Sequence, residues 1–376
     1  MSNGNGHGRI SNEVVDVAFQ QSAEPYRPPP PRRSKLWPVF FLFFLTILTT
    51  LAVGSDFARS FARGQQPFTG YEHWYSLILL PMQHPDLLLL GIPYSLTLLT
   101  ILLAHEMGHF VACKVYGIDA SYPYFLPAPT LVGTFGAFIR IRSPITTRRA
   151  LFDIGIAGPI AGFAIAAPAM ALGVAASKII PGTEEHAEII FGSPLLMQMF
   201  VAVFHPHIDP SWVLLHPIGR AAWVGCLVTA LNLLPAWQLD GGHIMYALTD
   251  RYHFRISIVV GLLLIAGGTL APLWYVWGAV LLVLSWRYRH PQLMNRWEPL
   301  DASRKMWAIV AVAILILCFM PVPATDPPEP APLHERLVGS TSAITAVPGI
   351  SLAAQKSRQP DKACANAERC GDFNTN

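Results

Sequence analysis

Charged residues are scarce: Lys and Arg number 26 and Asp and Glu 23 in 376 residues, 13% of the chain, against about 25% in an ordinary soluble domain. With 52% hydrophobic residues, there is too little polar surface to enclose a soluble globule and too much apolar area for intrinsic disorder. A lipid bilayer is the implied solvent. The formal net charge of +3 is too small and too dispersed for a nucleic-acid footprint, which concentrates Lys and Arg on one face, so nucleic acid is set aside as a partner. Cysteine is sparse too. Five cysteines in so long a chain make no disulfide framework, and no Cys-x-x-Cys pair suggests a thiolate zinc site. A metal site here has to draw on His and carboxylate.

What the sequence has instead is long apolar runs. Residues 1–35 are polar, with a proline run from Pro28 to Pro31, and are expected to form a disordered cytoplasmic tail. They are neither Arg-dense nor free of acids, unlike a transit peptide. Residues 36–54 have the length of a spanning helix and lack a secretory cleavage pattern, so they are expected to be a first transmembrane anchor. Further spans are expected from Leu87 to Ala112, Ile154 to Ala176, Trp212 to Ala236 and Met306 to Met320. The stretch Ile256 to Trp286 is interrupted by Gly267-Gly268-Thr269 and Pro272 and reads as two helices.

Basic residues orient these spans, because Lys and Arg in short loops gather on the cytoplasmic side. The N-terminal tail carries Arg27, Arg32, Arg33 and Lys35, the loop after the second span Lys114, Arg140, Arg142, Arg148 and Arg149, and the segment after Trp286 Arg287, Arg289, Arg296, Arg304 and Lys305. The loop from Ser177 to Ser211 sets Lys178 against Glu184, Glu185 and Asp209. The expectation is an all-α polytopic protein of the cell inner or plasma membrane, with a cytoplasmic N-terminus and about seven transmembrane helices. Its catalytic membrane core would span residues 86–250, its C-terminal transmembrane helices 256–322, and a flexible tail 323–376, which holds Cys364 and Cys370.

The second span ends in LLAHEMGHF, placing His105, Glu106 and His109 inside an apolar helix. Ionisable groups at membrane depth are costly unless paired or liganded, so they mark a functional site by default. A spacing of four puts His105 and His109 on one face a turn apart, close enough for both imidazoles to reach one zinc, with Glu106 beside it as a base. A catalytic zinc site usually takes three protein ligands. Cys113 shares the face of His109, but three ligands along a straight helix span over about 10 Å and cannot converge; it reads as a buried apolar filler.

Asp240, in Asn232-Leu-Leu-Pro-Ala-Trp-Gln-Leu-Asp240-Gly241-Gly242-His243, is the better third ligand. The topology returns this end of the fourth long span to the side of His109. Pro235 breaks the helix so that irregular backbone can line a wet cavity, and Gly241 and Gly242 permit a turn beside the metal. His243 reads as an interfacial histidine outside the ligand set, and His205 and His207 as groups of a solvated loop. Gly155, Gly158 and Gly162 have the small-residue spacing of close helix packing.

HEMGH in one membrane helix and NLLPAWQLDGG in a later one resemble the site-2 protease family of intramembrane zinc metalloproteases. The resemblance extends to Val132 to Arg142 and to Arg149 to Gly162, which look like that family's membrane-associated β-region, between the second and third spans, and its glycine-rich core helix. It implies that His105, His109 and Asp240 ligate one Zn2+ per chain, that Glu106 is the catalytic base, and that Asn232 helps to hold substrate or the oxyanion. It also implies a zinc metalloendopeptidase acting on a membrane-protein substrate, within or near a transmembrane segment. The Ser177 to Ser211 loop is too short for the PDZ domain many family members carry, which points to a branch without one. The alternative is a polytopic transporter or channel using the same His and Asp for an ion, which leaves Glu106 between the ligands unexplained.

Overall fold

The computed structural model describes residues 36–68, 83–181, 189–288, 290, 293 and 299–325. The expected N-terminal tail, all but the start of the C-terminal one, Cys364, Cys370, Glu184 and Glu185 lie outside the described residues. Helix α1 (Trp37–Arg63) runs well past the end expected at Gly54. The reason is Asp56, whose charge marks a boundary in sequence but whose buried carboxylate accepts the Phe68 N–H at 3.0 Å and faces Arg59 at 3.5 Å, so the helix need not stop there.

The short α2 (Pro85–Leu90) leads into α3 (Ile92–Val115), which carries Pro93 in its first turn, where no N–H is missed. Next comes an antiparallel hairpin of β1 (Tyr124–Pro127) and β2 (Thr134–Phe138), with Phe125 opposite Ala137. It docks on α1 and α3: Thr49 Oγ1 donates to the Gly133 carbonyl at 2.6 Å, and the Tyr94 hydroxyl to the Val132 carbonyl at 2.9 Å.

Helix α4 (Arg148–Ala175) is capped by the Thr147 side chain, which accepts the Ala150 N–H at 3.2 Å, and it runs through Pro159 and Pro168 without ending. Between α4 and the next long helix lie β3 (Lys178–Ile179), β4 (Ile190–Phe191), α5 (Leu195–Phe204) and β5 (Val213–Leu214), with β3 paired to β5. Helix α6 (Pro217–Leu233) starts on a proline and stops before Leu234-Pro235, where the residue ahead of a proline is driven out of helical geometry. Then follow α7 (Asp240–Leu248), α8 (Asp250–Gly267), α9 (Leu273–Arg287), α10 (Ala302–Cys318) and β6 (Ala324–Thr325), which pairs with β4.

Helices α3, α4 and α6 pack on one another and α7 packs on α4, so the two sequence motifs meet against α4. Their apolar core includes Leu98, Leu102, Ile156, Met170, Ala222 and Val224. Helices α8 and α9 form a second layer around Leu264, Trp274 and Leu281. The interrupted stretch thus makes two helices, parting at Gly268 and Pro272.

Helices α1, α3 and α4 are long and apolar enough to cross a membrane. Where spans were expected from Trp212 and from Met306, α6 and α10 are 17-residue helices. Exposed apolar side chains such as Phe44, Leu96, Leu172, Leu263, Val283 and Ile309 form an outer surface suited to lipid rather than water. Where basic loops were expected, ion pairs bind the helices together: Arg304 grips Asp153 through Nε and Nη2 at 2.8 and 2.6 Å, and Arg148 reaches Asp250 at 2.9 Å.

Candidate metal centre and active site

His105, Glu106 and His109 are buried, at 3%, 6% and 7% exposure, inside a largely apolar helix. What makes room for two imidazoles is the opposing helix. A Cβ at Gly158 would lie 2.1 Å from His109 Nε2, and one at Gly162 would lie 3.1 Å from His105 Cβ. The rings therefore lie in a trough that α4 can offer only where it lacks side chains. Gly108 does the reverse, because a Cβ there would sit 2.4 Å from the Ala157 carbonyl oxygen. The sequence reading took the α4 glycines as helix packing alone; their intervals of three and four, matching the i, i+4 step of the histidines, were the signal that they face the site.

The His109 Nδ1 lies 2.7 Å from the Ile154 carbonyl oxygen. A carbonyl only accepts, so Nδ1 carries the hydrogen, and Nε2 presents its lone pair inward. That Nε2 is 3.2 Å from His105 Nε2 and 3.3 Å from Asp240 Oδ1, while His105 Nε2 is 3.1 Å from Asp240 Oδ2. Three electron-rich donor groups thus converge within 4.8 Å of one another.

Asp240 reaches them because of the backbone before it. After α6 ends, Trp237 takes a left-handed φ of 48°, and this strained residue is held at both ends: its N–H donates to Ser257 Oγ at 3.0 Å, and His253 Nε2 lies 3.0 Å from its carbonyl oxygen. The turn expected at Gly241 and Gly242 is instead the first turn of α7. Their role is steric, since Cβ atoms there would come within 2.0 Å of the Leu233 carbonyl oxygen and 2.5 Å of those of Ala236 and Trp237. Asp240 opens α7, where the positive end of the helix favours a carboxylate.

Among the other expected site residues, Glu106 lies beside the cluster, near the Ile139 backbone just beyond β2. Asn232 Nδ2 is 3.4 Å from His105 Nε2. Cys113 is fully buried with Ile118, Ala120, Ala150 and Ile154, away from the cluster. His205 is engaged elsewhere, 3.1 Å from the Val174 carbonyl oxygen.

Behind Asp240, His243, which the sequence placed at the interface outside the ligand set, joins a histidine that sequence reasoning missed. His243 Nδ1 is 2.9 Å from His290 Nε2, and the His290 ring stacks on Tyr246 at 3.9 Å. Burial, and then the neighbouring His290, push His243 down to about 3, which keeps the His243 imidazole neutral. His290 lies 47 residues beyond His243, and no local pattern links them.

The donor set fits a divalent metal. Ligand atoms about 2.0–2.1 Å from a tetrahedral zinc lie about 3.3 Å from each other, which is the separation found here. Two imidazoles and a carboxylate are also hard-to-borderline donors that suit zinc, and three protein donors leave a further position for water.

Residues 93–266 match the family model for peptidase family M50. This segment belongs to that family, the site-2 proteases. The M50 segment starts inside α3 and ends in α8, so it contains His105, Glu106, His109, Asn232 and Asp240. The chain is similar to the "Probable zinc metalloprotease EGY1, chloroplastic" of rice (Oryza sativa subsp. japonica), with 30% identity over 250 residues, 63% of this chain and 43% of that protein. To its namesake in Arabidopsis thaliana it is 29% identical over 257 residues, 64% of this chain and 46% of that protein. To "Probable zinc metalloprotease EGY2, chloroplastic" of rice (subsp. indica) it is 31% identical over 186 residues, 47% of this chain and 33% of that protein. The chain spans less than half the length of these relatives.

Proposed function

We propose that this chain is an intramembrane zinc metalloprotease that hydrolyses a peptide bond within or near a transmembrane segment of a membrane-protein substrate. The observation that carries this reading is the convergence of His105 Nε2, His109 Nε2 and the Asp240 carboxylate beside Glu106, inside an apolar helix bundle and within the M50 segment. A zinc ion held by those three groups supplies a Lewis acid that acidifies water toward a pKa of about 7 and polarises a carbonyl.

The chain's own groups do the rest. Glu106 takes a proton from the attacking water as its oxygen bonds to the carbonyl carbon, and returns that proton to the amine nitrogen as the C–N bond breaks. The Ile154 carbonyl keeps His109 in the tautomer whose Nε2 lone pair points inward. Asn232, at the rim beside His105, hydrogen-bonds the substrate backbone or its developing oxyanion. A helical substrate hides its carbonyls in its own hydrogen bonds, so it enters unwound, aligned by pairing with the edge of the β1–β2 hairpin.

The bundle is embedded in the inner or plasma membrane through about seven spans, with the basic segments and the N-terminus on the cytoplasmic face. Residues 86–250 act as the catalytic core without a PDZ domain, and residues 256–322 support it from the side.

Glu106→Gln tests the reading. The variant is expected to keep one zinc per chain by elemental analysis while cleavage falls by about 10²–10⁴-fold, and to retain uncut substrates that comparison of membrane proteomes then identifies. A variant that cleaves as well as the parent sinks the assignment, and a transporter would keep its flux.

A further inference from the structure

Arg220, in the first turn of α6, is only 6% exposed. Its Nη2 donates to Gln66 Oε1 at 3.0 Å, and its guanidinium lies over the Phe191 ring at 4.7 Å. Neither partner carries a charge, and among the described residues no carboxylate reaches it. Asp209, the acid next to this region, is exposed and directs its carboxylate to the Ser211 N–H at 2.9 Å. Every other arginine ion pair among the described residues is more exposed than this guanidinium. A buried cation left without a counter-charge is strongly unfavourable.

A second observation meets the first. Arg220 lines a cavity of about 20 Å³, together with Gln66, Phe191, Ser193, Ser211 and Trp223. That volume holds one water-sized body. It excludes sulfate, phosphate and any carboxylate-bearing metabolite by size. The cavity wall offers the guanidinium as a donor, with Ser193 beside it, while the Ser211 side chain is hydrogen-bonded to Asp209 and the Trp223 indole N–H is given to the Gly192 carbonyl at 2.6 Å.

We propose that this cavity is a structural site for a single halide-sized monovalent anion, chloride in the cell, held by Arg220 at a wall that includes Ser193. The bound ion neutralises the guanidinium and ties the start of α6 to the strand β4 segment and to the residues after α1. It does so far along α6 from Asn232, so its role is to order the helix that carries Asn232 rather than to take part in chemistry.

The test uses the full chain in detergent, held in sodium gluconate and titrated with chloride or bromide at constant ionic strength. Once halide exceeds its dissociation constant, the unfolding midpoint of the parent is expected to rise by about 2 °C per tenfold increase. Arg220→Gln and Arg220→Met are expected to show a flat response. Bromide soaked into crystals should give an anomalous peak beside Arg220, which decides the matter from the parent protein alone if both variants fail to fold. A parent that is equally stable in gluconate and chloride overturns the proposal. So does a halide response that persists in Arg220→Gln, or a cavity that holds only water or a side-chain carboxylate.

Discussion

His109 shows how much of a site can rest on atoms that are absent. Its ring is aimed by the Ile154 carbonyl and fits only because Gly158 has no Cβ. Gly158→Ala is therefore expected to displace the ring and lower zinc content well below one per chain, with helix content by circular dichroism unchanged; full zinc occupancy would refute the trough. Asp240→Asn keeps the shape of the proposed third ligand but removes its charge. It is expected to weaken zinc binding by about 10–100-fold or more, measured by competition with a chelator, since a neutral amide is a poor partner for a divalent ion. HEMGH and the aspartate were legible in sequence because ionisable residues in an apolar run are costly to bury unless they bind an ion or react. The Ile154 carbonyl was not legible, since every residue has one.

At the scale of elements, the site depends on how closely α4 approaches α3 and α6. Gly173 on α4 crosses Gly219 on α6 so tightly that a Cβ on Gly173 would lie 2.2 Å from the Gly219 Cα. Gly173→Val is expected to destabilise the protein by about 1–3 kcal/mol, seen as a lower unfolding midpoint in detergent. The start of α10 is fastened to α4 by the bidentate Arg304–Asp153 pair. Both side chains are partly exposed, and a double-mutant cycle of Arg304→Gln and Asp153→Asn is expected to give a coupling of about 1 kcal/mol, decreasing with salt. A coupling of zero would make the contact incidental. The breaks at Pro235 and at Gly267 to Pro272 were readable, because proline and paired glycines oppose helix wherever they fall. The end of α1 was not, since the Phe68 N–H that Asp56 binds is brought back to it only by the turn beyond the helix end.

For the whole molecule, the apolar exterior and the polar, buried centre divide the chain into a lipid-facing surface and a site shielded by helices. The proposed seven-span topology predicts that cysteines introduced between Arg287 and Lys305 are labelled from the cytoplasmic side and those introduced between Ser177 and Ser211 from the opposite side by a membrane-impermeant reagent. Labelling of both from one side would rule out the odd number of crossings that this topology places between them.

Composition and local pattern determined that the chain is apolar and mostly helical, that helix breaks at Pro235 and at Gly267 to Pro272, and which residue types bear its chemistry. These depend on apolar periodicity, proline and glycine geometry, and the cost of burying charge, all carried by neighbours in sequence. Tertiary structure alone decided that Asp240 meets His105 and His109 against α4, that glycines form the trough for the rings, that His290 backs His243, and that Arg220 is buried without an acid. Those facts depend on distances between segments far apart in the chain, and such distances exist only once the helices have packed.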